Sequence, residues 1–244
     1  MRKTLPSEGI EPYEGGGGPI QVPRHTRRAV PPGGSGGTAL QHQEPGSPPG
    51  DGVRRSSMNR ARLVDLGSWN VAGTPTVTME LSEARVRRSV LRILNDTVLC
   101  SMATVTSDHR PHINTAYFCF SDELELYFLS HPSSLHCRNL STNASMAMAV
   151  FSSSQAWGGS DQGVQLFGTC SEARGPHAIE ADQLYGDRFS LYPNWKANLD
   201  RDDPARAYRF YRFLPAALQI LEEQEFGGGV FVYATIQRGA GSAE

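Results

Sequence analysis

The chain has 244 residues, a formal net charge of −2 and 39% hydrophobic residues, which is enough for one domain with a substantial core. It contains no 18-residue apolar run of the kind that spans a bilayer, and its Arg2-Lys3 start lacks the apolar stretch of a secretory signal. Residues 1–78 carry 9 Lys+Arg against 6 Asp+Glu and the remainder 14 against 19, so the part able to fold is acidic and has no general attraction for nucleic acid.

Residues 1–78 also hold 14 of the 25 glycines and 10 of the 16 prolines, with tracts at Gly15–Gly18 and Pro31–Gly37. Such composition cannot bury a core that offsets its backbone entropy, and the segment is predicted to be disordered. Its arginines Arg24, Arg27, Arg28, Arg54 and Arg55 are available to an acidic surface, although a solvated tail is the simpler reading. Met79 opens the first periodic stretch, which makes Met79 or Met58 an alternative biological start. The expected folded domain is 79–238, followed by a flexible tail at 239–244.

Ser82 is placed to cap a helix, with Glu83 at its positive end and Val86, Val90, Leu91 and Leu94 on one face; Asn95-Asp96 ends it. Val98–Thr106 is small and β-branched and reads as a strand, closed by the turn Ser107–Arg110 before Pro111. His112–Ser121 and Leu124–Ser130 complete a three-strand meander. A short helix follows over Pro132–Asn143, then a strand over Met146–Ser153. A Ser/Gly loop around Trp157 leads into the strand Gly163–Ser171, and Pro176 starts a helix running to Phe189. Tyr192–Pro204 is expected to be irregular. Strands are expected over Tyr208–Leu214, Ala216–Leu221 and Val230–Gln237, with Gly227–Gly229 as a turn. Sequential antiparallel strands with helices outside make a mainly β (α+β) closed barrel, which leaves few exposed edges.

Cys100, Cys119, Cys137 and Cys170 form no CxxC pair and read as small buried thiols, as suits a reducing cytoplasm. The cytoplasm is therefore the expected location. No Walker loop, dinucleotide fingerprint, nucleophile elbow or HExxH helix occurs. His109 and His112 flank a turn without a third ligand, and no metal is expected.

The positive signal is MATVTSDHRPHINTAYFCF (102–120) followed by LELYFLSHPSSLHCRNL (124–140). It describes a hairpin whose second strand ends in a Ser-rich turn opening a helix. Ser130, Ser133 and Ser134, free helix amides and the His136 imidazole are suited to holding a phosphate. Helix capping by the same serines is the alternative, and the residues alone leave both open.

This block, together with Gly163–Gly168 and the closing Tyr208–Pro215 and Phe226-Gly-Gly segments, resembles the FMN-binding split-barrel family of the pyridoxamine 5'-phosphate oxidase type over about residues 80–238. The resemblance implies an antiparallel split β-barrel with flanking helices, working as a homodimer with FMN at the seam. It also implies roles. The strand Asn114, Thr115, Ala116 and Tyr117 would run along the flavin, and Tyr117 could donate a hydrogen bond near the ring. Ser130, Ser134 and His136 would hold the phosphate, with Arg138 nearby. Gln165 would approach from the partner chain, and Trp157 would cover the ring. Authentic pyridoxamine-phosphate oxidases carry an arginine where this chain has Asn114, an Arg-Lys pair where it has Leu135-His136, and a C-terminal Arg-Leu-His absent here. The sequence looks closer to an uncharacterised subgroup, with an unidentified small-molecule substrate and no assigned catalytic residue. Three functions follow: an FMN-dependent oxidoreductase, with a deazaflavin coenzyme as a variant; a module holding flavin or haem without turnover, with His136 or His112 as haem ligands; or a cofactor-free interaction protein.

Overall fold

The computed structural model describes residues 61–72 and 80–239. The expected disorder of 1–60 and 73–78 and the expected flexibility of 240–244 lie outside these residues. Residues 61–72, expected to be disordered, are instead part of the fold: Arg62–Asn70 is a strand, β1. Its residues are pinned by side chains far away in sequence. The backbone N–H of Ala61 donates to Glu123, that of Leu63 to Glu83 Oε1 (3.0 Å), and buried Arg87 donates to the Ala61 carbonyl. A domain boundary at Met79 is therefore too late, and a chain starting there would lack β1.

The helix α1 (Glu83–Asp96) begins as expected, with Ser82 Oγ accepting from the Arg85 amide. Its buried face is Val86, Val90, Ile93 and Leu94, while Leu91 stays half-exposed. The meander is β2 (Leu99–Val105), β3 (Pro111–Phe120) and β4 (Leu126–Ser130); then come α2 (Leu135–Thr142), β5 (Ser145–Val150), β6 (Gln162–Glu172) and α3 (Pro176–Arg188). Part of the stretch expected to be irregular is a short helix, α4 (Tyr192–Ala197), followed by a 3-10 turn at Pro204–Ala207. The two strands expected on either side of Pro215 are one, β7 (Arg209–Glu222), which leads through α5 (Glu223–Phe226) to β8 (Val230–Gln237).

All pairings are antiparallel. The order is β1-β8-β7-β4-β3-β2-β5-β6, and β6 also pairs with β7, closing a six-stranded barrel that β8 and β1 extend. Strand β7 serves both parts: Arg209–Phe213 pairs with β4 and Ala217–Leu221 with β8, while β6 runs along Tyr211–Glu222. The change occurs at Pro215, opposite Gly168, where the register shifts. Proline is tolerated at such an irregularity because no ladder N–H is required of it.

One core fills the barrel, including Met102, Phe118, Leu126, Phe128, Met148, Leu166 and Phe213. A second lies outside it beneath α3 and α4, built from Cys119, Tyr127, Ala181, Tyr185, Tyr192 and Phe210. Among the described residues no helix is long and apolar enough to cross a membrane.

Candidate functional site

The barrel is split between β3 and β4. These strands pair only at Phe118–Phe120 with Leu126–Phe128; beyond that, Pro111–Tyr117 pairs with β2 alone and Leu129–Ser130 with β7 alone. The Phe118 amide donates to the Val98 carbonyl on the β2 side (3.3 Å). Alternation then turns the amides of Ile113, Thr115 and Tyr117 toward the opening. Side chains alternate too. Asn114 and Ala116 share the inward face with Met102 and Phe118, whereas Thr115 and Tyr117 point outward, Tyr117 against the Phe189 ring at 5.6 Å.

At the mouth of this split the structure brings Ser130, Ser134 and His136 together. His136 Nε2 lies 2.7 Å from Ser130 Oγ and 3.1 Å from Ser134 Oγ, and the two hydroxyls are 3.3 Å apart. Ser134 occupies the N-cap position of α2, yet its hydroxyl makes no cap hydrogen bond. Capping is thus not what these serines do; they converge on the imidazole. Burial holds the His136 pKa down to about 4, with His112 adding to the effect, so the ring is neutral near pH 7. A neutral ring has two tautomers. With the proton on Nε2, the ring donates to a serine oxygen and both hydroxyl hydrogens can turn toward an anion; with it on Nδ1, Nε2 accepts from one of the two hydroxyls.

The remaining sequence-derived residues sit elsewhere. Arg138 is exposed and donates to the Ser133 carbonyl, so its charge is on the surface rather than in the cluster. Gln165 lies in the row Thr115–Ser101–Ala149–Gln165, three strand spacings or roughly 14 Å from Thr115. Within one chain it is not brought to the Ser–His cluster. Trp157 stands on the β5–β6 loop, wholly exposed. The four cysteines are buried, and burial pushes the Cys100 and Cys119 thiols up to about 12.

A second polar cluster escaped sequence reasoning. Glu125, His177 and Glu180 bring three potential ligand atoms within 4.8 Å of one another. Arg212 grips Glu125 through Nε–Oε2 (2.8 Å) and Nη2–Oε1 (2.6 Å), and Tyr127 donates to the same carboxylate at 2.7 Å. Arg212 thereby supplies the positive charge this site needs. Its partners lie 87 residues apart in sequence, and no local pattern announces such a pair.

A closed antiparallel barrel opened between two strands, with hydroxyls and an imidazole at the opening, defines a split β-barrel protein. The family model described as pyridoxamine 5'-phosphate oxidase matches residues 87–219, more than half of the chain. The protein belongs to that family.

No curated protein sequence matches it. Among solved structures it is similar to a haem-binding protein from Mycobacterium smegmatis (17% identity, TM-score 0.50), covering 65% of this chain and 60% of that one. Others are HutZ, the haem storage protein from Vibrio cholerae (16%, TM-score 0.45, 60% and 93% covered), and a putative pyridoxamine 5'-phosphate oxidase from Listeria innocua (15%, TM-score 0.42, 56% and 98% covered). At these identities the likeness is one of fold.

Proposed function

We propose that the protein binds FMN in the β3–β4 split and works as a flavin-dependent oxidoreductase on a small molecule, two copies completing each site. The observation that carries this is the convergence of the Ser130 and Ser134 hydroxyls on His136 beside the open edge of β3. The residues fit the group in kind. The hydroxyls, the imidazole and the amides opening α2 hold the phosphate, and the outward amides of Ile113, Thr115 and Tyr117 read the ring edge. The bound flavin supplies the electron chemistry. The chain's own residues bind and orient it, and Asn114 and Ala116 line the inner wall.

Two copies are favoured by the outer face of the sheet. The rows Ile113–Ala103–Ala147–Phe167–Ala217 and Thr115–Ser101–Ala149–Gln165–Gln219–Tyr233 cross strands β3, β2, β5, β6 and β7, the second reaching β8, with uncharged side chains, the first of them small or apolar throughout. Ile113 is 70% exposed there. Covering this face with a second copy carries Gln165 and Trp157 toward the neighbour's split.

A second reading, a module that holds flavin, a deazaflavin or haem without turnover, is favoured by the state of the two candidate cations named above: His136 is neutral and Arg138 is engaged outside. His136 Nε2 is already met by two serines, which leaves half-buried His112 as the freer haem ligand. The visible spectrum of the purified protein separates these readings. The two-banded absorption of oxidised flavin supports the first, a Soret band supports the second, and colourless protein that takes up no added FMN leaves an interaction protein. Ser134→Ala/His136→Ala should weaken FMN binding while the barrel stays folded; an unchanged dissociation constant would misplace the phosphate.

A further inference from the structure

The outer face of the sheet carries a hollow of about 280 Å³ over β5, β6, β7 and β8. The row Gly163–Leu221–Phe231–Trp69 runs through it across β6, β7, β8 and β1, and Ala149–Gln165–Gln219–Tyr233 is the next row. Alternation puts both rows on the outer face. The floor lies where the side chains are smallest, at Ala149 and Gly163. Phe151 flanks the gap at Gly163, its Cβ 3.2 Å from where a Gly163 Cβ would stand, and Leu221 and Phe231 make the other wall. Phe151 is exposed and the other two are half-buried, so these apolar walls face outward.

The rim is tied down. Gln155 braces the β5–β6 loop, its Nε2 donating to the Ser152 carbonyl at 2.9 Å and its Oε1 accepting from the Gln162 amide at 2.6 Å. Glu223 accepts from the Asp161 and Gly229 amides at 3.0 and 2.8 Å, which turns its carboxylate to the backbone. No charged side chain lines the hollow among the described residues. Its polar side chains are carboxamides, and those of Gln165 and Gln219 make no hydrogen bond to another described residue. An ion entering here would lose its hydration without gaining a counter-charge. An uncharged ring gains apolar contact, and a carboxamide both donates to and accepts from a carbonyl or amide edge. The volume falls just short of sites for drug-sized ligands, which leaves room for one or two rings. We propose that the hollow binds an uncharged one- or two-ring molecule, held between Phe151 and Phe231 and hydrogen-bonded to Gln165 and Gln219. It borders the face assigned above to a second copy but is built within one chain, so the inference stands apart from the flavin reading.

Prodan (6-propionyl-2-dimethylaminonaphthalene), an uncharged two-ring compound with one carbonyl, tests it on the full 244-residue protein. Its emission should shift to the blue on saturable binding. Gly163→Leu fills the gap and should abolish that binding. Gln219→Leu removes a hydrogen bond while keeping the apolar walls, and should weaken binding about fivefold. The anionic 8-anilinonaphthalene-1-sulfonate, even in excess, should not displace bound prodan. Melting temperatures show that each variant is folded, with Gln219→Leu deciding where a leucine pressed against Phe151 unfolds the other. FMN titration of the same samples reports on the split separately. Absence of saturable prodan binding by the parent protein overturns the proposal, whether a second copy fills the hollow or nothing does. So does binding that the folded variants leave unchanged, because the probe then lies elsewhere. Displacement of prodan by the sulfonate overturns the uncharged class of ligand.

Discussion

Arg212 meets Glu125 with two near-parallel hydrogen bonds of 2.8 and 2.6 Å, both side chains being buried. Burial pushes the Glu125 carboxyl up, but hydrogen bonds from Arg212 and Tyr127 prevail and hold it below its ordinary value. The pair joins the residue just before β4 to β7, beside Tyr127 of the second core. Arg212→Ala leaves a buried carboxylate without its counter-charge and should cost about 3–5 kcal/mol, whereas replacing both residues by apolar ones of similar size should cost less. Urea denaturation of the three proteins checks this ordering; a double variant less stable than Arg212→Ala would refute it.

Acid should weaken the fold through His136. Its pKa is about 4 in the folded protein and near 6.5 when unfolded, so between these values the unfolded chain binds more protons and stability falls as pH falls. The loss across this window is on the order of 2–3 kcal/mol. Thermal melts at several pH values should show a flatter slope for His136→Asn than for the parent. An identical slope would mean that the imidazole is not buried.

Gly168 is required by the bend of β7. A Cβ there would fall 2.6 Å from Pro215 Cα and closer still to the Leu214 carbonyl oxygen. These are backbone atoms and cannot swing aside. Gly168→Ala should therefore destabilise by about 2 kcal/mol or more, whereas Gly228→Ala, with nothing within 4 Å of an added Cβ, should be tolerated. Comparable losses at both positions would contradict the close approach at the bulge.

The β1 latch predicts a sharp truncation boundary. Arg87 donates to the Ala61 and Asp122 carbonyls, and Arg87→Ala should cost about 2–3 kcal/mol. Removing residues 1–60 should preserve the fold. Removing residues 1–78 should bare the outer edge of β8 and promote association. Size-exclusion profiles and melting temperatures of the two truncations decide it. Equal stability of both would show that β1 contributes nothing.

Most strands were legible because side-chain alternation and turn residues are local properties. Met146, Met148 and Val150 alternate inward as their spacing implies, and Ser82 caps α1 as its position before Glu83 implies. β1 was missed because Arg62–Asn70 follows a Gly/Pro-rich tract and its partners, Glu83, Arg87, Glu123 and β8, are distant in sequence. β7 was divided because Pro215 ordinarily interrupts a strand, and only its apposition to Gly168 shows how the ladder continues around it.

The sequence by itself determined the class of fold, the order of its strands and helices and the residue types at the mouth of the split, because periodicity, turn chemistry and motif spacing are written along the chain. Tertiary structure alone decided that Ser134 turns to His136 instead of capping α2, that His136 is neutral, and that Glu125 and Arg212 share a buried site. Side-chain direction, desolvation and long-range ion pairing depend on which distant segments become neighbours, and that is settled only when the barrel closes.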